Sequence, residues 1–70
     1  MATDRYLRRR IQFLTDSANR RAADAVKWIG SGDYAAAATS AQAASEYAAQ
    51  AKGLQDALDR IEVDLIEASK

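Results

Sequence analysis

Residues 30–33 read Gly30-Ser31-Gly32-Asp33 and form the one clear helix-breaking cluster in this sequence of 70 residues. Gly costs about 1 kcal/mol in a helix interior and readily adopts the left-handed conformation that ends a helix. The sequence on both sides is rich in Ala and other good helix formers. It therefore predicts an all-α fold, an antiparallel two-helix hairpin with a helix over about residues 4–29, a turn over 30–32 and a helix over about 33–69.

Both predicted helices have side chains that suit an N-terminal cap. Thr3 or Asp4 is expected to accept the free backbone N–H groups of the first helix, and Asp33 those of the second. Residues 1–70 are long enough for one small domain, so we expect a single helical-hairpin domain.

Apolar side chains recur along each predicted helix at steps of three and four residues, the spacing of a face that packs against a neighbouring helix. On the first helix this seam consists of Leu7, Ile11, Leu14, Ala18, Ala22, Ala25 and Ile29. On the second helix a strict seven-residue repeat, typical of a coiled coil, contains Ala44, Tyr47, Ala51, Leu54, Leu58, Ile61, Leu65 and Ala68. Because the turn is short, the numbers of facing residues should sum to about 63.

That register predicts a hairpin that is narrow near the turn and wider at the opposite, open end. Near the turn, small side chains face one another: Ala18, Ala22 and Ala25 against Ala37, Ala38, Ala41 and Ala44. At the open end the facing side chains are large, so the bulk of the core should lie there.

Charge is divided between the two predicted helices. Residues 1–29 carry seven basic and three acidic side chains, and residues 30–70 carry three basic and seven acidic ones. Antiparallel packing should bring the first set of charges beside the second: Arg5, Arg8, Arg9 and Arg10 beside Asp56, Asp59, Glu62 and Asp64. Exposed ion pairs add little stability, so we expect them to set direction and register.

The composition offers little support for catalysis. The chain has no Pro, Cys or His, which excludes disulfides, zinc sites made of Cys and His, and His-dependent catalysis. We therefore predict no enzyme activity, no small-molecule substrate, no cofactor and no catalytic or metal-binding residue. The acidic residues Asp56, Asp59, Glu62, Asp64 and Glu67 are interpreted as a solvated face, since they do not match a calcium-binding loop. The loop at Gly30 lacks the spacing of a phosphate-binding loop.

Part of the apolar surface should remain uncovered by the hairpin itself. If residue 4 lies near residue 59, the second helix extends beyond the first, and the uncovered residues are Ile61, Val63, Leu65, Ile66 and Ala68. Tyr6 and Phe13 form a second apolar face on the first helix. A two-helix core of this size is marginal alone, so we predict a homodimer, packed as a four-helix bundle, or a complex with another helical protein. The predicted interface consists of Tyr6, Phe13, Leu58, Ile61, Leu65 and Ile66.

Localisation and nucleic-acid binding are less directly indicated. No apolar run is long enough for a membrane span and no export signal precedes the first helix, so we expect a cytoplasmic protein without membrane contact. The abundance of Arg and Ala suits a bacterial or bacteriophage genome. Residues 8–10 and 20–21 are arginines near Tyr6 and Phe13, a mixture that also occurs on nucleic-acid-binding surfaces. We interpret most of them as a solvated face, and a nucleic-acid-associated accessory protein remains an alternative.

Residues 28–32 read WIGSG and resemble the Trp-x-Gly turn of the WXG-type small helical hairpins secreted by ESX, or type VII, systems. The resemblance implies export by such a system, a four-helix homodimer or heterodimer, and Trp28 and Gly30 as turn residues. The Tyr-x-x-x-Asp/Glu export signal of that family is not matched, because Tyr47 is followed by Ala51.

Residues 28–44 also resemble the middle of one tetratricopeptide hairpin, with small residues on the second helix and a turn at Gly32 and Asp33. No second repeat follows, and one such unit cannot bury its own face. A tight turn between helices accounts for Trp28, Gly30, Gly32 and Asp33 without either family. The sequence thus predicts a non-enzymatic protein–protein interaction module, with a WXG-like secreted dimer as the alternative.

Overall fold

The structure is a computed structural model that describes residues 2–69, and it confirms the predicted helical hairpin. Helix α1 is Ala2–Gly30 and helix α2 is Tyr34–Ala68. The two helices pack side by side in a rod whose Cα atoms extend over 57 × 16 × 12 Å. Across the described residues the secondary structure is helical apart from the turn and the last residue, Ser69.

The turn is a Schellman motif centred on Gly32. This glycine has φ +82°, and its N–H donates to the Ile29 carbonyl at 3.0 Å. The N–H of Asp33 donates to the Trp28 carbonyl at 2.9 Å, which satisfies a second carbonyl at the end of α1. Asp33 also caps the next helix, because its Oδ1 accepts a hydrogen bond from the Ala36 N–H at 3.0 Å. The predicted cap at Asp33 is confirmed.

The helix predicted from about residue 4 begins about half a turn earlier, and the N-cap predicted at Thr3 or Asp4 is wrong. The helix begins at Ala2, so Thr3 and Asp4 are helical residues and neither is its N-cap. Asp4 lies in the first turn, where its carboxylate interacts favourably with the helix dipole, and it pairs with Arg8 one turn later.

The seam of α2 follows the predicted seven-residue repeat as far as Ile61. Leu58 is buried, and the other predicted positions from Ala44 to Ile61 are half-buried. Beyond this point Leu65 and Ala68 continue the repeat but are exposed, as predicted for the part of α2 that extends beyond α1. The repeat also extends toward the turn, where Ala37 and Ser40 are buried.

On α1 the predicted seam is correct near the open end and wrong near the turn. Leu7, Ile11, Leu14, Ala18 and Ala25 are buried or half-buried. Ala22 and Ile29 are exposed, and Ser17 and Asp24 take the covered positions instead. Ile11, Ala18 and Ala25 are covered and keep a strict repeat of seven. Near the turn, the covered residues beside this row are Ser17 and Asp24.

The same shift exposes two alanines that were predicted to face α1. Ala38 and Ala41 are exposed, whereas Ala36 and Ala43, on the other flank of α2, are half-buried. Near the turn, α1 therefore packs through the flank that bears Ser17 and Asp24, and α2 through the flank that bears Ala36 and Ala43. The core there is made of small side chains, including the buried Ser17 and Ser40, and the large buried ones, Leu14 and Leu58, lie farther from it.

Candidate interaction surfaces

The open end of the hairpin is covered further than the sequence predicts. Thr3 and Asp4 line one groove together with Ile61, Glu62 and Leu65. Ile61 is half-buried there, so the prediction that it extends beyond α1 without cover is wrong. The reason is the earlier start of α1, which supplies an additional half turn against α2.

Most of the large apolar side chains nevertheless remain on the surface. Among the described residues, only Leu14 and Leu58 are large side chains that are almost fully buried, at 2% and 1% exposed. The exposed large ones are Tyr6, Phe13, Val26, Trp28, Ile29, Tyr34, Val63, Leu65 and Ile66. Half or more of the side chain is exposed in all of these except Trp28, at 37%.

The structure divides the predicted interface residues into three groups. Leu58 belongs to the core of the hairpin, where no partner can reach it, so it is a supporting residue and not a contact residue. Ile61 and Leu65 share the groove at the open end, and Ile66 is exposed beside them, at 59%. Tyr6 and Phe13 lie elsewhere, along the groove between the helices.

Tyr6 and Phe13 mark one side of the hairpin, which we name the Tyr6 face. Tyr6 lines a groove with Gln50, Gly53 and Leu54 of α2, together with Arg10 and Leu14 of α1. Phe13 lines the next groove with Ser17, Arg20, Arg21, Asp24 and Tyr47. Arg10 stacks over the Phe13 ring, with its Cζ 5.3 Å from the ring centroid. This face therefore combines exposed aromatic rings with several arginines.

The opposite side of the hairpin, which we name the Arg8 face, carries the one ion pair between helices among residues 2–69. Arg8 Nη2 donates to Glu62 Oε1 at 2.7 Å. Arg8 also donates through Nε to Asp4 Oδ2 at 3.3 Å. The hydrogen bond that Arg8 donates to Asp4 and the negative charge of Asp4, and after them the charge of Glu62, raise the pKa of the Arg8 guanidinium above its ordinary value. The predicted arrangement of arginines beside acidic residues is thus realised by Arg8 and Glu62.

The other described ion pairs lie within single helices. Arg21 Nη1 is 3.9 Å from Asp24 Oδ2, and Lys52 Nζ is 3.0 Å from Asp56 Oδ2. Lys27 lies over the Trp28 ring, with Nζ 5.9 Å from its centroid. Three arginines that could have formed part of a nucleic-acid surface therefore already have contacts within the hairpin. Arg8 pairs with Glu62, Arg10 stacks over the Phe13 ring and Arg21 lies near Asp24.

Within residues 2–69, no three carboxylates come close enough together to hold a metal ion. Asp56, Asp59 and Glu62 point to separate partners: Lys52, Gln55 and Arg8 respectively. No helix in the described part of the chain combines the length and hydropathy needed to cross a membrane.

Comparison with known proteins finds no relative of this chain. No family model matches the sequence, and neither curated proteins nor solved structures provide a significant match. The resemblances to WXG-type and tetratricopeptide hairpins stay predictions.

Proposed function

We propose that this chain is a non-enzymatic assembly module that associates with a second copy of itself to form a four-helix bundle. The observation that carries the proposal is the imbalance between its core and its surface. Among residues 2–69, two large apolar side chains are fully buried, whereas nine are exposed. Burial of apolar surface is the main favourable term in folding, so a hairpin with this distribution is marginal until a partner covers it.

A second copy suits this surface because the charges of the chain complement one another. Residues 1–29 have a net charge of +4 and residues 30–70 a net charge of −4. In a bundle of two hairpins each α1 can lie beside the α2 of the partner, so unlike charges meet across the interface. One side of the rod is also large enough for such a contact. It measures 57 × 16 Å between Cα atoms, or roughly 900 Å², close to the area that each partner buries in a standard interface.

The open end is the proposed contact surface. Leu65 and Ile66, both more than half exposed, form its centre with the half-buried Ile61. Tyr6 and Phe13 extend the contact along the Tyr6 face. Leu58 is left out of this surface because it is already covered.

The test is the oligomeric state of an open-end variant with Leu65→Lys and Ile66→Lys. Lysine is a good helix former, and a positive charge near the end of α2 is favoured by the helix dipole, so the hairpin should still fold. Two desolvated charges in the contact should raise the dissociation constant of the dimer at least about 100-fold. Sedimentation equilibrium measures this change directly.

The matched control carries Ala23→Lys and Ala49→Lys, two exposed positions on the outer sides of α1 and α2. It adds the same charge and should dimerise like the wild-type protein. A wild-type chain that stays monomeric at high concentration, with the helix content of the hairpin, would contradict the proposed function.

A further inference from the structure

The turn half of the Arg8 face is a second apolar surface, separate from the open end. Ala22 and Ile29 follow Arg8 by two and three heptads, and Ala41 and Tyr34 precede Glu62 by three and four. Residues separated by whole heptads lie on the same flank of a coiled helix. Since Arg8 and Glu62 are in contact at 2.7 Å, these two flanks border the same face of the hairpin.

Exposure agrees with this placement. Tyr34 is 71% exposed, Val26 70% and Ile29 55%, and Ala22 and Ala41 are exposed around them. Near the turn the helices pack through the opposite flanks, which bear Ser17, Asp24, Ala36 and Ala43. The apolar side chains on the Arg8 face therefore point to solvent. We name this surface the turn patch: Ala22, Val26, Ile29, Tyr34 and Ala41.

The turn patch contains no charged residue. The twelve residues of α2 from Tyr34 to Ser45 are all uncharged. On α1 the nearby charges Arg20, Arg21 and Asp24 line the groove on the Tyr6 face. Lys27, which follows Val26, lies over the Trp28 ring. Asp33 is held at the N-terminus of α2 by its hydrogen bond to Ala36.

We infer that a second copy of the chain docks on the turn patch through a two-fold contact, in addition to the contact at the open end. In a two-fold contact only the residues nearest the axis lie close to their own counterparts, so a charge at the axis meets a like charge. The turn patch meets this requirement because it is uncharged.

The area of the patch indicates a weak contact. The turn patch lies within half of a face that measures 57 × 16 Å between Cα atoms. A contact on it therefore buries at most roughly 450 Å² per partner, which is in the range of transient interfaces. The open-end contact should therefore form first and the turn-patch contact at higher concentration. Because two different surfaces bind copies of the same chain, dimers should associate further into tetramers or longer chains.

The test is a turn-patch variant with Val26→Lys and Ile29→Lys, compared with the open-end variant by sedimentation velocity over a wide concentration range. Both substitutions add positive charge near the C-terminus of α1, where the helix dipole favours it, so folding should be preserved. The wild-type protein should form species larger than a dimer. The turn-patch variant should stop at the dimer, with the weaker association lowered at least about 30-fold.

The remaining variants separate this inference from the proposed function. The open-end variant should still dimerise weakly through the turn patch, and a variant that combines both pairs of substitutions should be a monomer. The outward control, Ala23→Lys with Ala49→Lys, should associate like the wild-type protein. If the wild-type protein stops at a dimer that the turn-patch variant still forms and the open-end variant does not, the inference is wrong and the proposed function stands. If the wild-type protein is a monomer throughout, both are wrong.

Discussion

At the scale of single residues, two leucines hold the hairpin together. Leu14 and Leu58 are the large side chains that both helices cover almost completely, while their neighbours along the seam are only half-buried. Small side chains such as Ala25, Ala37 and the buried Ser17 allow close approach of the helices but remove little apolar surface from water. Most of the core free energy should therefore reside at the two leucines.

Leu58→Ala should lower the free energy of unfolding by about 2–5 kcal/mol, the usual cost of removing a buried leucine side chain. That is a large share of the stability of a domain of this size. Urea denaturation followed by circular dichroism measures the loss. Leu65→Ala removes the same atoms from an exposed position and, at the same low protein concentration, should cost less than about 1 kcal/mol. Equal losses at the two positions would refute the assignment of Leu58 to the core.

At the scale of elements, the turn positions the two helices. Gly32 supplies the left-handed conformation, and the hydrogen bonds to the carbonyls of Trp28 and Ile29 end α1. Asp33 then begins α2 without an intervening loop residue. A turn this short leaves few relative arrangements of the helices, and the Arg8–Glu62 ion pair at the other end is compatible with the same register.

The two glycines Gly32 and Gly53 should respond to alanine in opposite directions. Gly32→Ala places a side chain at φ +82°, which should cost about 1–2 kcal/mol of stability. Gly53 lies inside α2 with open space around its Cα, so Gly53→Ala should add about 0.5–1 kcal/mol. Thermal and urea unfolding of the two variants provide the comparison, and stabilisation by Gly32→Ala would contradict the turn described above.

At the scale of the whole molecule, residues 2–69 expose nine large apolar side chains and bury only two almost completely. Seven of these nine exposed side chains lie in three places: Leu65 and Ile66 at the open end, Tyr6 and Phe13 on the Tyr6 face, and Val26, Ile29 and Tyr34 in the turn patch. Because these places are on different sides and ends of the rod, one partner cannot cover them all. Assembly beyond a single pair is therefore the arrangement that best removes this surface from water.

If folding and association are coupled, the melting temperature should depend on protein concentration. For a dimer of this chain length, a tenfold increase in concentration should raise Tm by about 5 °C. Circular dichroism melts between micromolar and millimolar concentrations measure the slope. The open-end variant with Leu65→Lys and Ile66→Lys should show a much smaller slope, and a wild-type Tm that does not change with concentration would argue for an independently stable monomer.

The sequence predicts the hairpin well because its strongest signals are local. The Gly32 turn, the Asp33 cap and the seven-residue repeat of α2 each depend on neighbours in the chain, and all three are present in the structure. The errors arise where a contact between helices decides. Ala22 and Ile29 continue an apolar stripe on α1, yet they are exposed because α2 packs against the opposite flank.

The candidate surfaces were predicted only in part, for the same reason. Tyr6, Phe13 and Ile66 are apolar residues outside the main repeats, and Leu65 continues the repeat of α2 beyond α1. The sequence alone marks all four as candidates for an interface. Val26 and Tyr34 carry no such signal, because their common face exists only once the two helices are placed side by side. The sequence offered one clue to the covered side of α1, namely that Ala18 and Ala25 lie seven residues apart.

The amino-acid sequence by itself determined that this chain is a two-helix hairpin, where it turns and how its charges are divided, since helix propensity, glycine conformation and heptad spacing act over a few residues. Tertiary structure alone decided which flank of each helix is covered and where the exposed apolar surfaces lie. Those outcomes depend on how two helices roll against each other, which is set by the fit of Leu14 and Leu58 and of the small side chains near the turn.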